Sequence, residues 1–219
     1  MKSLALSAAL AGSGNAQALT VGDMTYFLGP ERNYITREIV NDSDLTRIYG
    51  ITIRESAPPY GDVATWQSKG GDLMYAPKQL ILRPRKSGWI RIYYKGENLY
   101  SPRYFFITFR EERATSVNSG NLEAKPQLEL QTILVVQPRI PRQTYLVEGG
   151  RFINTGNTVI LATASGQCEG DGKCVRDRYL SPGQSLDLSS LGLGNEPIRV
   201  VIANGSESHE IILDKLNVH

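Results

Sequence analysis

Apolar and polar positions alternate with period two along most of this chain, and helical spacing is almost absent. That period belongs to half-buried β-strands. It predicts strands at 20–28, 34–41, 47–54, 73–75, 79–82, 89–94 and 103–110. In 47–54 the candidate core is Ile48, Ile51 and Ile53. The run Leu128-Glu129-Leu130-Gln131-Thr132-Ile133-Leu134-Val135-Val136-Gln137-Pro138 begins as strict alternation and continues as a long β-branched strand. A polar, charged loop (111–126) precedes it and a Pro-rich joint, Pro138–Pro141, follows it. A second set of short strands is predicted at 144–147, 151–154, 158–163, 175–180, 185–188, 198–203 and 209–213. Turn clusters such as Thr155-Gly156-Asn157 and Ser181-Pro182-Gly183 separate them. The expectation is an all-β chain with two sandwich units, 19–138 and 139–219.

The first 18 residues stand outside that pattern. Lys2, the apolar run Leu4 to Ala11 and the A-x-A site Ala16-Gln17-Ala18 read as a secretory signal peptide cleaved after Ala18. The run is shorter than the roughly 20 residues a membrane helix needs. The expectation is therefore an exported chain. Charge adds little: 24 basic against 22 acidic residues give no bias toward nucleic acid or anionic lipid.

Export changes how the two cysteines read. Cys168 and Cys174 in an oxidising compartment suggest one structural disulfide. A redox pair or half a metal site are the alternatives. The spacing is not C-x-x-C, and His209 and His219, the only histidines, complete no zinc set. No metal or cofactor is expected. The chain also lacks a G-x-S-x-G elbow, a P-loop and H-E-x-x-H, and Gly192-Leu193-Gly194 reads as a turn. Glu111-Glu112 reads as a solvated pair rather than a catalytic dyad, and His209 has no Cys or Ser partner in view. The expectation is a protein that is not an enzyme.

Several segments together resemble PapD-like periplasmic pilus chaperones. They are Ala76–Pro84 with Trp89–Gly96, Arg103–Glu111, Thr132–Arg139, Asn154–Asn157 and Tyr179–Gly183. The resemblance covers nearly all of the chain after residue 18 and is strongest to alternate chaperones of common-pilus (Ecp) type, disulfide loop included. It implies two immunoglobulin-like sandwiches in a boomerang. It also implies donor-strand complementation, in which the chaperone lends a strand to an incomplete pilin subunit, then delivers the subunit to an outer-membrane usher. An exposed donor edge would also suit a self-capping homodimer when the chain is free.

On this reading Leu128, Leu130 and Thr132 form the subunit-binding donor strand, with Leu122 a weaker addition. Ile133, Leu134 and Val135 are expected to pack inside the first unit. The family's basic residues that clamp a subunit carboxylate fall here on Met24 and Ile133, neither of them basic. Arg91 and Arg103 are the candidate carboxylate-binding residues instead, with plain surface cations as the alternative. Gln137 replaces an Arg that braces the two domains in the best-known members, so other contacts are expected to set their orientation. Two rivals remain: a structural pilus or surface component, and a secreted carbohydrate-binding sandwich using Trp66, Trp89 and Tyr93. Core packing accounts for those aromatics equally well.

Overall fold

The computed structural model describes residues 19–58, 71–97, 100–112, 128–168, 172–191, 197–204 and 207–214. The leader at 1–18, Leu122, Trp66, His219 and Gly192-Leu193-Gly194 lie outside the described residues. What is described is all-β.

The first sandwich pairs two sheets. One contains β1 (Thr25–Leu28), β8 (Glu129–Val136), β7 (Arg103–Glu112), β3 (Arg47–Ser56) and β5 (Gln79–Leu82), in that order. The other runs β2 (Tyr34–Val40), β6 (Ser87–Tyr94), β4 (Leu73–Ala76). Every pairing is antiparallel except β1 with β8, which is parallel. Alternation decides which side chains enter the core. Tyr49 and Ile51 of β3, Ile90 and Ile92 of β6, and Ile107 and Phe109 of β7 are all buried in it.

Two expectations need correction. The 20–28 strand is broken. Gly22 has a φ of 73°, which an extended L-residue does not adopt, so the chain turns out of line there. Thr20 bridges to Val40 of β2, and β1 then pairs with β8 in the opposite sheet. Ile48 is not a core residue beside Ile51. The two differ by an odd number of positions, and Tyr49 takes the inward place.

The second sandwich stacks β13 (Ser185–Asp187), β10 (Arg151–Asn154) and β9 (Tyr145–Glu148) on a four-stranded sheet. That sheet is β12 (Lys173–Leu180), β11 (Ile160–Gln167), β14 (Ile198–Asn204) and β15 (Glu207–Leu213). Its core is separate and centres on Phe152, Ala162, Leu180, Leu188, Val200 and Ile202. Cys168 and Cys174 form a disulfide, with Cα atoms 5.9 Å apart, at the loop end of the β11–β12 hairpin.

Each sandwich ties a turn with one buried asparagine. Asn41 Nδ2 donates to the carbonyls of Leu45 (2.7 Å) and Leu82 (3.0 Å), and Asn154 Nδ2 to those of Thr158 (2.8 Å) and Leu180 (2.9 Å). A buried amide held this way satisfies turn carbonyls that water cannot reach.

Candidate functional site

The switch of the N-terminal strand leaves one edge half covered. β1 covers β8 only from Ile133 to Val136. On the other side β7 pairs with β8 along its whole length, from Arg103↔Val136 to Arg110↔Glu129. Ile133 N–H donates to Met24 O, and Glu111 N–H to Leu128 O, both at 2.9 Å. Backbone groups in a strand alternate sides. The N–H and C=O of Glu129 and Gln131 therefore point away from β7, toward the side β1 does not reach. Among the described residues nothing pairs with them.

The side chains of that half-strand grade from open to closed. Leu128 and Leu130 are half-buried, Leu130 against the first core, while Thr132, Leu134 and Val136 are buried. Thr132 Oγ1 lies beside the Tyr26 hydroxyl without a well-formed hydrogen bond. That hydroxyl donates to Val21 O at 2.7 Å. Burial pushes the Tyr26 phenol up, partly offset by Thr132 and by Arg37.

Ile133 and Val135 do not pack inside the first unit as expected. They point to the opposite face of β8, where Tyr104, Val135 and Val159 form a small cluster with Phe27, Ile133 and Tyr179. This cluster joins the two sandwiches. Tyr104 Oη bonds Ser181 Oγ at 2.7 Å within it, and burial pushes the Tyr104 phenol up to about 12. Gln137 completes the joint by two hydrogen bonds with the backbone of Val159.

Arg91 and Arg103 are not brought together. Arg91 lies on the outward face of β6 in the other sheet, 5.7 Å from the Tyr34 ring. Trp89 and Tyr93 share that outward face and are exposed, because Ile90, Ile92 and Tyr94 take the inward places. Core packing therefore does not account for Trp89 and Tyr93. Arg103 opens β7 opposite Val136, at the far end of β8 from Leu128. It does meet carboxylates, but they are the chain's own. Its Nη2 is 2.5 Å from Glu55, its Nη1 bonds Asp72, and Tyr94 Oη accepts from it at 3.0 Å. Burial alone would lower the pKa of this guanidinium, but the hydrogen bonds it donates to Asp72, Glu55 and Tyr94 more than reverse that.

One residue went unnoticed in the sequence. Arg37 sits on the inward parity of β2, between Ile35 and Ile39. Its guanidinium carbon lies 4.5 Å from the Tyr26 ring centroid, and its buried Nε has no acceptor. Among the described residues no carboxylate pairs with it. An arginine in the I-x-R-x-I rhythm of Ile35, Arg37 and Ile39 was the available signal.

Two sandwiches joined through Tyr104, Gln137 and Val159, with a half-open strand edge beside the joint, define a two-domain immunoglobulin-like protein. The same fold occurs in the periplasmic chaperone SfaE (TM-score 0.58, 12% identity, 90% of this chain and 100% of that one). It occurs also in the SafB chaperone solved with the Salmonella enterica SafA pilin (TM-score 0.57, 11% identity, covering 90% and 96%). Residues 143–211 match the family model for the EcpB C-terminal domain. The "Probable fimbrial chaperone EcpB" of Klebsiella pneumoniae (strain 342) is 31% identical over 212 residues, which span 93% of this chain and 96% of that protein. The "Probable fimbrial chaperone EcpE" of Escherichia coli O18:K1:H7 (strain IHE3034 / ExPEC) is 29% identical over 182 residues, 80% of this chain and 77% of that protein. The chain belongs to the EcpB family of fimbrial chaperones.

Proposed function

We propose that this chain is a periplasmic chaperone, without enzymatic activity, that stabilises a fimbrial subunit by lending it β8 and passes it to an outer-membrane usher. In this reading residues 1–18 are a cleaved leader, 19–138 carry the donor strand, and 139–219 form the second domain. The observation that supports it is the free edge at Glu129 and Gln131 beside half-buried Leu128 and Leu130. A subunit that lacks one sandwich strand exposes an apolar groove and unpaired backbone groups. The β8 edge supplies the backbone partners, and Leu128 and Leu130 supply alternate side chains for the groove; Thr132, expected to join them, is already buried in the first sandwich. Burying each leucine fully is worth roughly 1.5–3 kcal/mol.

The cation for an acidic group on the subunit strand is Arg37 in this reading, rather than Arg91 or Arg103. Arg103 is already neutralised by Glu55 and Asp72, and Arg91 faces outward from the other sheet. Arg37 has no acid of its own among the described residues and stacks on Tyr26, within the short strand that ends the free edge.

The test is the double variant Leu128→Glu with Leu130→Glu. The expected result is a folded protein from whose expressing cells no protected subunit is recovered. Normal subunit yield would sink the donor-strand assignment.

A further inference from the structure

The outward face of β3, β7 and β8 carries a groove of about 580 Å³, lined by Thr52, Arg54, Phe106, Thr108, Glu129 and Gln131 among others. Its position follows from strand parity. Phe105, Ile107 and Phe109 point into the core, so Tyr104, Phe106, Thr108 and Arg110 point outward. The second sandwich covers Tyr104. Phe106, two residues on, is half-buried in the groove and is the one aromatic ring among its lining residues.

Charge marks the same spot. Arg54 sits opposite Phe106 in the β3–β7 register. Arg110, nearby on the same face, is bonded to Glu129 through Nε (2.8 Å) and Nη2 (2.7 Å). Arg54 has no such partner among the described residues. A half-buried ring next to an uncommitted guanidinium fits an apolar side chain with a carboxylate beside it. The groove is also continuous with the free edge, because Glu129 and Gln131 belong to both. A strand that pairs with those two residues carries its flanking chain over the groove.

We propose that this groove is a second contact for the same subunit. It seats an apolar side chain on Phe106 and a neighbouring carboxylate on Arg54, and it discriminates between subunits that the strand edge alone would accept. Main-chain pairing is indifferent to sequence, so selectivity must come from side-chain sites such as this one. The inference rests on β8 being the donor edge.

The experiment uses the full chain and the subunit that co-purifies with it from the periplasm. Affinity is measured for wild type, Arg54→Glu, Arg54→Lys and Phe106→Ala. Amide exchange at Glu129 and Gln131 is followed in each saturated complex. Arg54 is exposed, so its variants keep the fold even if Phe106→Ala does not. The expected result is a loss of tenfold or more for Arg54→Glu and for Phe106→Ala, substantial rescue in Arg54→Lys, and unchanged protection at Glu129 and Gln131. Affinity within twofold of wild type for Arg54→Glu, with those amides protected, would overturn the groove and leave the donor edge standing. Unprotected Glu129 and Gln131 in the wild-type complex would overturn the edge reading, and the groove proposal with it.

Discussion

The side chain of Gln137 pairs with the backbone of Val159 as a neighbouring strand would. Nε2 donates to Val159 O at 2.8 Å, and Val159 N–H donates to Oε1 at 3.0 Å. Nε2 also reaches Asn204 Oδ1 at 3.0 Å. The residue is buried just past the end of β8, so one amide links that strand to the second sandwich.

Removing that amide should therefore loosen the joint. In Gln137→Ala the N–H and C=O of Val159 lose their partners in a buried place, at a cost of about 1–3 kcal/mol for each group left unsatisfied. The expected outcome in denaturant titration is a clear loss of stability. Small-angle scattering should show a broader distribution of domain arrangements. An unchanged midpoint would mean that Phe27, Tyr179 and their neighbours hold the joint without Gln137.

Tyr104 gives the joint a pH limit. Its folded pKa is about 12 against 10.0 for an ordinary phenol, so folding favours the neutral form. The stabilisation is complete below pH 10 and is lost as pH rises from 10 through about 12. A shift of that size corresponds to roughly 2–3 kcal/mol. Stability of wild type should fall more steeply than that of Tyr104→Phe between pH 10 and 12. Parallel curves for the two proteins would show that Tyr104 does not titrate at the joint.

Arg103 tests whether an internal ion pair holds the first sandwich. Arg103→Met takes the guanidinium away from Glu55, whose side chain is 7% exposed. Breaking one side of a buried pair typically costs about 3–5 kcal/mol. The second replacement, Glu55→Gln combined with Arg103→Met, should recover a good part of that loss in thermal unfolding. Equal destabilisation in the single and double variants would show that packing of Arg103 on Tyr94 and Phe105 matters more than its charge.

The disulfide closes a short hairpin, so its effect should be modest and local. Chain-entropy reasoning gives about 2 kcal/mol for so short a loop. Reduction, or the pair Cys168→Ser and Cys174→Ser, should lower the unfolding midpoint of the second sandwich. Exchange rates along β7 and β8 should not change. Destabilisation of β8 on reduction would mean that the two sandwiches unfold as one unit.

Much of this molecule was legible in its residues because alternation and turn chemistry are local. Ile90-Arg91-Ile92 announces which side of β6 is inward, and Asn154-Thr155-Gly156 announces a turn. The break at Gly22 was visible as a glycine but not as a change of sheet, because pairing partners lie far away in the chain. Arg91 and Arg103 looked alike as cations on strands. Only the fold separates them, by placing Glu55 and Asp72 against one and Tyr34 near the other. Arg37 was overlooked because an inward arginine contradicts the simple rule that charges face water. Ile133 and Val135 read as core, and they are covered, but by the second sandwich rather than their own.

The central claim is that β8 offers its edge at Glu129 and Gln131. Hydrogen exchange at those two amides tests it most directly, in the free chain and in its complex with the co-purified subunit. Fast exchange in the free chain and strong protection in the complex are predicted, with the amides of Thr132 and Leu134 slow in both states. Glu129 and Gln131 exchanging equally fast in both states would contradict strand lending at this edge.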